Sequence, residues 1–154
     1  MNHKRLVESS KGKSSIGKHT KPNVISYSSI IDCWSKSGSS EAGARAQMLL
    51  DRMEMHSQSG SNKLVTPNIV TYSSVLSSYG RSGTFDSAGK AHSLLTHMKT
   101  LHKTGKNPNA KPNVVSYFAV IDSWARSNHT DAGFKALSLL KEMENSSLDG
   151  DKDG

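Results

Sequence analysis

The chain has 154 residues, of which 34% are hydrophobic, and a formal net charge of +7 at pH 7. So few apolar residues argue against one thick globular core and fit a thin, elongated stack of helices. The charge favours an anionic partner without specifying one, because the first 21 residues alone carry a net +5 and residues 149–154 carry −2. A nucleic-acid interface must therefore be argued from particular residues.

Cysteine content and hydropathy limit the classes further. Cys33 is the one cysteine, which excludes a disulfide within the chain, and its place beside Trp34 predicts a thiol that is either packed or inert. No apolar run approaches the roughly 18 residues of a membrane span, and no signal-peptide core follows the start, so we expect no membrane association and no secretion. Residues 1–21 are basic and Ser-rich, which fits either a disordered tail or a transit-like segment.

A six-residue segment occurs three times at a spacing of 45 residues. It begins at Pro22, Pro67 and Pro112 and reads Pro-Asn, two apolar residues, Ser or Thr, and Tyr. The register continues downstream without an insertion. We therefore predict three tandem units over residues 22–147, at about 24–68, 69–113 and 114–147, with an acidic tail over 148–154.

Each unit reads as two helices. In unit one the apolar stripe of the first helix consists of Val24, Tyr27, Ile30, Ile31 and Trp34. The stripe of the second helix consists of Ala46, Leu49, Leu50 and Met53, and the helix ends in polar residues near Gln58. Gly38, Gly83 and Asn128 are suited to the left-handed residue that ends a helix. Neither helix buries its stripe alone, so the predicted fold is all-α, an α-solenoid of three helix-turn-helix repeats.

A second side of the first helices collects residues of another kind. At about 100° per residue, an apolar residue, a small polar residue and a cation share this side in units one and two. The apolar residues are Ile25, Val70 and Val115, and the cations are Lys36, Arg81 and Arg126. A base can lie against the apolar residue while the cation meets a phosphate. Equally, the β-branched residues can pack on the next unit and the cations can be solvated.

The segment Pro-Asn-Val-Ile-Ser-Tyr-Ser-Ser-Ile-Ile-Asp, followed by Lys-Ser-Gly and a helix ending near Glu54, resembles a pentatricopeptide repeat. The resemblance extends from residue 22 to about 146. It implies a right-handed superhelical array that reads single-stranded RNA at about one base per repeat. It also implies two base-reading pairs that favour adenine, Ser28 with Asn68 and Ser73 with Asn113. Phe118 replaces the hydroxyl in unit three, where it can stack on a base.

The repeats depart from the family in length, since each is about ten residues longer than usual. One helical turn of the excess lies in the second helix and the rest lies between repeats, away from the expected reading face. The final helix carries Leu137, Leu139, Leu140 and Met143 with no polar cap. We therefore expect further repeats or other proteins as partners at the uncapped ends.

The resulting interpretation is a sequence-selective single-stranded RNA-binding protein acting in RNA processing, stability or translation. The resemblance implies transcripts of the mitochondrion or plastid. The alternative is a protein-binding helical-repeat scaffold of the TPR or HEAT type. We expect no enzyme activity, cofactor or metal, because no nucleophilic triad or phosphate loop occurs. His92, His97 and His102 are five residues apart rather than the three or four of a helical metal pair.

Overall fold

A computed structural model of the chain describes residues 20–150, with side chains as far as residue 148. This part is all-α and contains six α-helices: α1 Val24–Lys36, α2 Ala42–Gln58, α3 Ile69–Ser82, α4 Ser87–Lys103, α5 Val114–Arg126 and α6 Ala132–Gly150. The expected all-α class and the helix pair in each unit are confirmed. Helix α6 continues three residues into the segment predicted as an acidic tail. Residues 1–19 and 151–154, on which the rest of the two predicted tails falls, lie outside the described residues.

An asparagine begins each first helix. The side-chain oxygens of Asn23, Asn68 and Asn113 accept a hydrogen bond from the backbone N–H three residues later, at 3.0–3.1 Å. The hydroxyl of that later residue in turn accepts from the backbone N–H of the asparagine. This reciprocal capping box satisfies donors that a helix otherwise leaves unpaired. The repeated Pro-Asn-x-x-Ser/Thr segment is therefore a helix start.

The first helices end as the sequence predicts. Gly38, Gly83 and Asn128 adopt positive φ angles of 68°, 62° and 56°. Glycine reaches this left-handed region without steric cost, and asparagine is among the more tolerant of the other residues. The chain thereby reverses after each first helix and brings the second helix back along it.

Neighbouring helix pairs pack through a regular set of contacts. Each first helix contacts its own second helix, and α1 and α3 also contact the first helix of the following pair. The second helices α2 and α4 also contact the first helix of the following pair. One contiguous hydrophobic core runs through all three pairs and includes Ile31, Leu50, Tyr72, Leu95 and Val120. The apolar stripes thus face each other across the pairs.

The segments between repeats are ordered in a way that the helical periodicity does not predict. Each contains a short 3-10 helix, Lys63–Val65 or Pro108–Ala110. Asn62 and Asn107 cap these turns. They also donate side-chain hydrogen bonds to the backbone oxygens of Pro22 and Pro67, at 3.0 and 2.9 Å. The residues beyond α2 and α4 thus hold the end of each second helix against the start of its own first helix.

Candidate nucleic-acid interface

A groove of about 310 Å³ crosses the first helices α1, α3 and α5. Six of the residues singled out from the sequence line it: Lys36, Val70, Ser73, Arg81, Asn113 and Val115. Asp32, Ser35, Ile69, Ser74 and Ser77 complete the lining. The other predicted site residues, Ile25, Ser28, Asn68, Phe118 and Arg126, lie on or at the start of these helices but outside the groove lining. The groove is therefore centred on unit two.

The three predicted stacking residues are open to solvent. The exposed fractions of Ile25, Val70 and Val115 are 70%, 62% and 51%. Such exposure is not compatible with β-branched residues packed between units, which was one of the two interpretations of this side. Phe118 is also 66% exposed. The first helices thus present these apolar side chains to solvent rather than to the core.

A bridging hydroxyl links the first predicted reading pair. The Ser28 hydroxyl lies 3.0 Å from Thr71 Oγ1. Thr71 Oγ1 in turn donates to Asn68 Oδ1 at 3.2 Å. The structure therefore brings Ser28 and Asn68 together, with the asparagine oxygen committed to the helix cap. The Asn68 amide nitrogen makes no hydrogen bond to a described residue, so it is the atom of this pair left for a base edge.

The second predicted pair differs in its hydrogen bonding. Asn113 caps α5 together with Ser116, which stands where unit two has Thr71. The Ser73 hydroxyl is buried and has no hydrogen-bond partner among the described residues. A buried unpaired hydroxyl carries a desolvation cost of about 1–3 kcal/mol. Because the hydroxyl is itself buried, a ligand in the groove contacts it only when the Ser73 side chain rotates towards the groove.

The three predicted phosphate contacts are not electrostatically equal. Lys36 forms an ion pair with Asp32 at 2.6 Å, and Arg126 forms one with Asp122 at 2.9 Å. Arg81 instead donates to the backbone oxygen of Ser35 at 3.2 Å and pairs with no carboxylate among the described residues.

The difference among the cations comes from the residue four positions earlier. Unit two has Ser77 at the position of Asp32 and Asp122. The i,i+4 spacing of acid and base along the helix is the sequence signal for these pairs. Arg81 is thus the predicted cation best placed to meet a phosphate.

A larger cavity of about 740 Å³ lies between the second helices α2 and α4. Its lining combines the carboxylates of Asp51, Glu54 and Asp86 with aromatic rings from Tyr79 and Trp124. Lys90 is the one lysine in this lining, so the three carboxylates leave an excess of negative charge, which repels a phosphate backbone. This cavity is therefore poorly suited to nucleic acid, and the smaller groove is the better candidate.

Three further observations concern chemistry outside the groove. Within residues 20–148, no group of three or more His, Cys, Asp or Glu side chains is placed to hold a metal ion. None of the described helices is long and apolar enough to cross a membrane. The expectation that Cys33 is packed is wrong, since its side chain is exposed. The one-residue step from the half-buried Trp34 turns Cys33 about 100° around α1, towards solvent.

Comparison of the chain with protein-family models, with curated proteins and with solved structures finds no match.

Proposed function

We propose that the chain is a sequence-selective single-stranded RNA-binding protein whose helix pairs stack as a right-handed α-solenoid of pentatricopeptide type. One observation carries the proposal. The groove across the first helices combines exposed aliphatic side chains, an unpaired hydroxyl and an arginine without a carboxylate partner. These are the three kinds of contact that a base face, a base edge and a phosphate require.

The arrangement suggests how one nucleotide sits in the groove. The base lies between Val70 and Val115, whose exposed methyl groups contact its faces. The Ser73 hydroxyl, once rotated towards the groove, and the amide nitrogen of Asn113 hydrogen-bond to its edge. Arg81 neutralises the adjoining phosphate while it keeps its bond to the Ser35 backbone. Units one and three carry an aliphatic residue and a cation at the same positions, although Lys36 and Arg126 are ion-paired, and this arrangement fits about one base per repeat.

The biological role follows from binding without catalysis. A protein that covers a short single-stranded segment protects it from nucleases, keeps it unpaired or positions other factors on it. We propose that the protein acts in this way in RNA processing, stability or translation. By its resemblance to the pentatricopeptide family, its transcripts are those of the mitochondrion or plastid.

A binding titration tests the proposal. Fluorescence anisotropy is measured with short single-stranded homopolymers of each base and with a matched RNA duplex, at about 50 and about 200 mM salt. We expect single strands to bind more tightly than the duplex, adenine to bind most tightly among the single strands, and salt to weaken binding. Equal binding to every RNA, or no binding at the lower salt, would contradict the proposal.

The second candidate function is a protein-binding scaffold, and the cavity between α2 and α4 favours it. Carboxylates beside aromatic rings suit a basic peptide segment better than RNA. Binding of an Arg-rich peptide would support this function if RNA does not compete with the peptide and if Asp86→Asn weakens its binding. Failure of such peptides to bind, together with the RNA preferences above, would favour the RNA-binding role.

A further inference from the structure

We infer that this protein associates end to end, with the outer face of α6 in one copy docked on the outer face of α1 and α2 in a second copy. The docked copies continue the same 45-residue register that relates the pairs within one chain. The inference does not depend on RNA binding. The two internal junctions, between the first and second helix pairs and between the second and third, show which positions such a contact buries.

The outer face of α6 exposes a position that the internal junctions bury. Leu140 is 46% exposed, whereas the equivalent Leu50 and Leu95 are both 0% exposed. Met143 is only partly buried, although its equivalents are fully buried. The first helix of a following pair is what covers these positions in the other two units.

The outer face of α1 shows the complementary defect. Ile30 is 49% exposed, whereas the equivalent Val75 and Val120 are both 0% exposed. Tyr27 is partly buried, and the equivalent Tyr72 is 0% exposed. The preceding pair covers these positions within the chain. Each outer face therefore corresponds to a surface that an internal junction covers. The opposite outer face of a second copy can cover it in the same way.

At each internal junction, a carboxylate, a tyrosine and a basic side chain form a polar cluster beside the apolar contacts. At the first junction, Glu54 accepts a hydrogen bond from the Tyr72 hydroxyl at 2.7 Å and lies 3.0 Å from His97 Nε2. At the second junction, Glu142 accepts from the Tyr117 hydroxyl at 3.0 Å and pairs with Lys99.

The acidic and the basic side chain occupy opposite positions at the two junctions. Glu54 and Lys99 occupy equivalent positions 45 residues apart, and so do His97 and Glu142. The second helix of the earlier pair thus supplies the acid at the first junction and the base at the second. Opposite charge across the junction is retained in both cases.

The outer faces preserve the same complementarity. The next position in the series of Glu54 and Lys99 is Glu144, on α6. The preceding position in the series of His97 and Glu142 is Arg52, on α2, and that of the tyrosines is Tyr27. None of the side chains of Glu144, Arg52 and Tyr27 forms a hydrogen bond or ion pair with a described residue. Docking in register places Glu144 of one copy against Tyr27 and Arg52 of the next.

A glycine gives a steric argument for the same docking. A Cβ atom at Gly43 would lie 2.3 Å from Tyr79 Cδ1, so the first junction admits only glycine there. Gly133 is the equivalent residue of α6, and a Cβ atom there would meet nothing within 4 Å. The residue equivalent to Tyr79 on the opposing face is Trp34. The second junction has the buried Ala88 at this position and Trp124 at the position of Tyr79. The two junctions thus share a small residue opposite an aromatic ring, and Gly133 leaves room for Trp34 of a second copy.

Sedimentation velocity on the full chain over an about hundredfold concentration range tests the inference. The average mass should rise with concentration, because a head-to-tail contact of this kind does not close. Leu140→Glu should weaken association at least about tenfold, which corresponds to about 1.4 kcal/mol. The matched control is Met48→Glu, which also adds a charge at an exposed apolar residue but lies outside the junction, since its equivalent Ser93 is exposed. A wild-type chain that stays monomeric throughout overturns the inference.

A charge exchange keeps the test decisive if Leu140→Glu does not fold. Arg52→Glu and Glu144→Arg each place like charges across the contact and should weaken association by roughly fivefold. The double variant, and an equimolar mixture of the two single variants, should recover the association. If the single and double variants associate equally, the copies meet through another surface and the inference is wrong.

Discussion

Asparagine at the start of each first helix caps that helix through its side-chain oxygen. The sequence suggested base reading by Asn68 and Asn113, whereas the structure uses their side-chain oxygens as helix caps. Asn23 forms the same cap although no preceding helix pair stands beside it in the described residues. Capping therefore accounts for the repeated asparagine, and base reading adds a role only for the amide nitrogen.

Changing Asn68 and Asn113 to Asp separates these roles. Aspartate caps a helix about as well as asparagine, so helix content and the unfolding midpoint should stay unchanged. The amide donor becomes an acceptor, so the preferred base should shift away from adenine. Anisotropy with the four homopolymers measures the shift, and Asn23→Asp is the matched control. Uniform weakening for all four homopolymers would show that the asparagines are not readers.

His92 couples folding stability to pH. Its Nδ1 accepts a hydrogen bond from Trp124 Nε1 at 3.2 Å, which requires that nitrogen to be unprotonated. Burial, followed by the charges of Lys135 and Lys99, lowers the pKa of His92 from 6.5 despite the opposing effect of Glu142. The unfolded chain then binds more protons than the folded chain at pH values between the lowered pKa and 6.5.

Stability should therefore decrease as the pH falls below about 6.5. Urea unfolding at about pH 7.5 and about pH 5.5 measures this change. His92→Asn, which keeps an acceptor but does not titrate, should reduce the difference between the two conditions. A variant that retains the full pH dependence would exclude His92 as its source.

At the scale of secondary-structure elements, the sequence predicts the helices well and the segments between repeats poorly. The 3.6-residue periodicity identified both helices of each unit, because long apolar stripes are unambiguous. A three-residue 3-10 turn has no periodicity to detect. The sequence signals were the recurrence of Gly60 at Gly105 and of Asn62 at Asn107, each 45 residues later.

The candidate site shows the same limit. Helical geometry placed Val70, Ser73 and Arg81 on one side, and they do line one groove. The Thr71 bridge to Ser28 and the pairing of Lys36 with Asp32 depend on side-chain rotamers and on the distance between helices. Neither can be calculated from the position of a residue on one helix.

Asn107→Ala tests the contribution of the ordered segment between repeats. Asn107 is only 7% exposed and its side chain both caps the turn and donates to Pro67. Its loss should lower the free energy of unfolding by about 1–3 kcal/mol, measured by urea unfolding. Asn62→Ala is the control and should cost less, because Asn62 is more exposed. Equal costs would contradict the role of burial.

The helix pairs also depend on close approach at one glycine. Gly43→Ala brings a methyl group against the Tyr79 ring and should lower the free energy of unfolding by about 1–3 kcal/mol. Gly89→Ala, near the start of α4, meets nothing within 4 Å and should instead stabilise by about 0.5–1 kcal/mol. Thermal unfolding of the two variants should therefore move in opposite directions. A shift in the same direction would contradict the packing described for α2 and α3.

At the scale of the whole molecule, little of the positive charge is available on the proposed interface. The net charge is +7, but Lys36 and Arg126 are each paired with an aspartate four residues earlier. Arg81 is the predicted phosphate contact without such a partner. RNA affinity should accordingly be modest and its salt dependence shallow, because few phosphates are neutralised.

The salt dependence of RNA binding in two matched arginine variants tests the central claim most directly. Arg81→Gln removes the unpaired cation of the groove, whereas Arg45→Gln removes an arginine that is paired with Glu41 on α2. Binding of an adenine homopolymer is measured over a range of salt concentrations for the wild type and both variants. Arg81→Gln should reduce the slope of log K against log salt by about 0.7–1 and Arg45→Gln should leave it unchanged. Equal slopes for the wild type and Arg81→Gln, or an equal reduction in both variants, would contradict RNA binding in this groove.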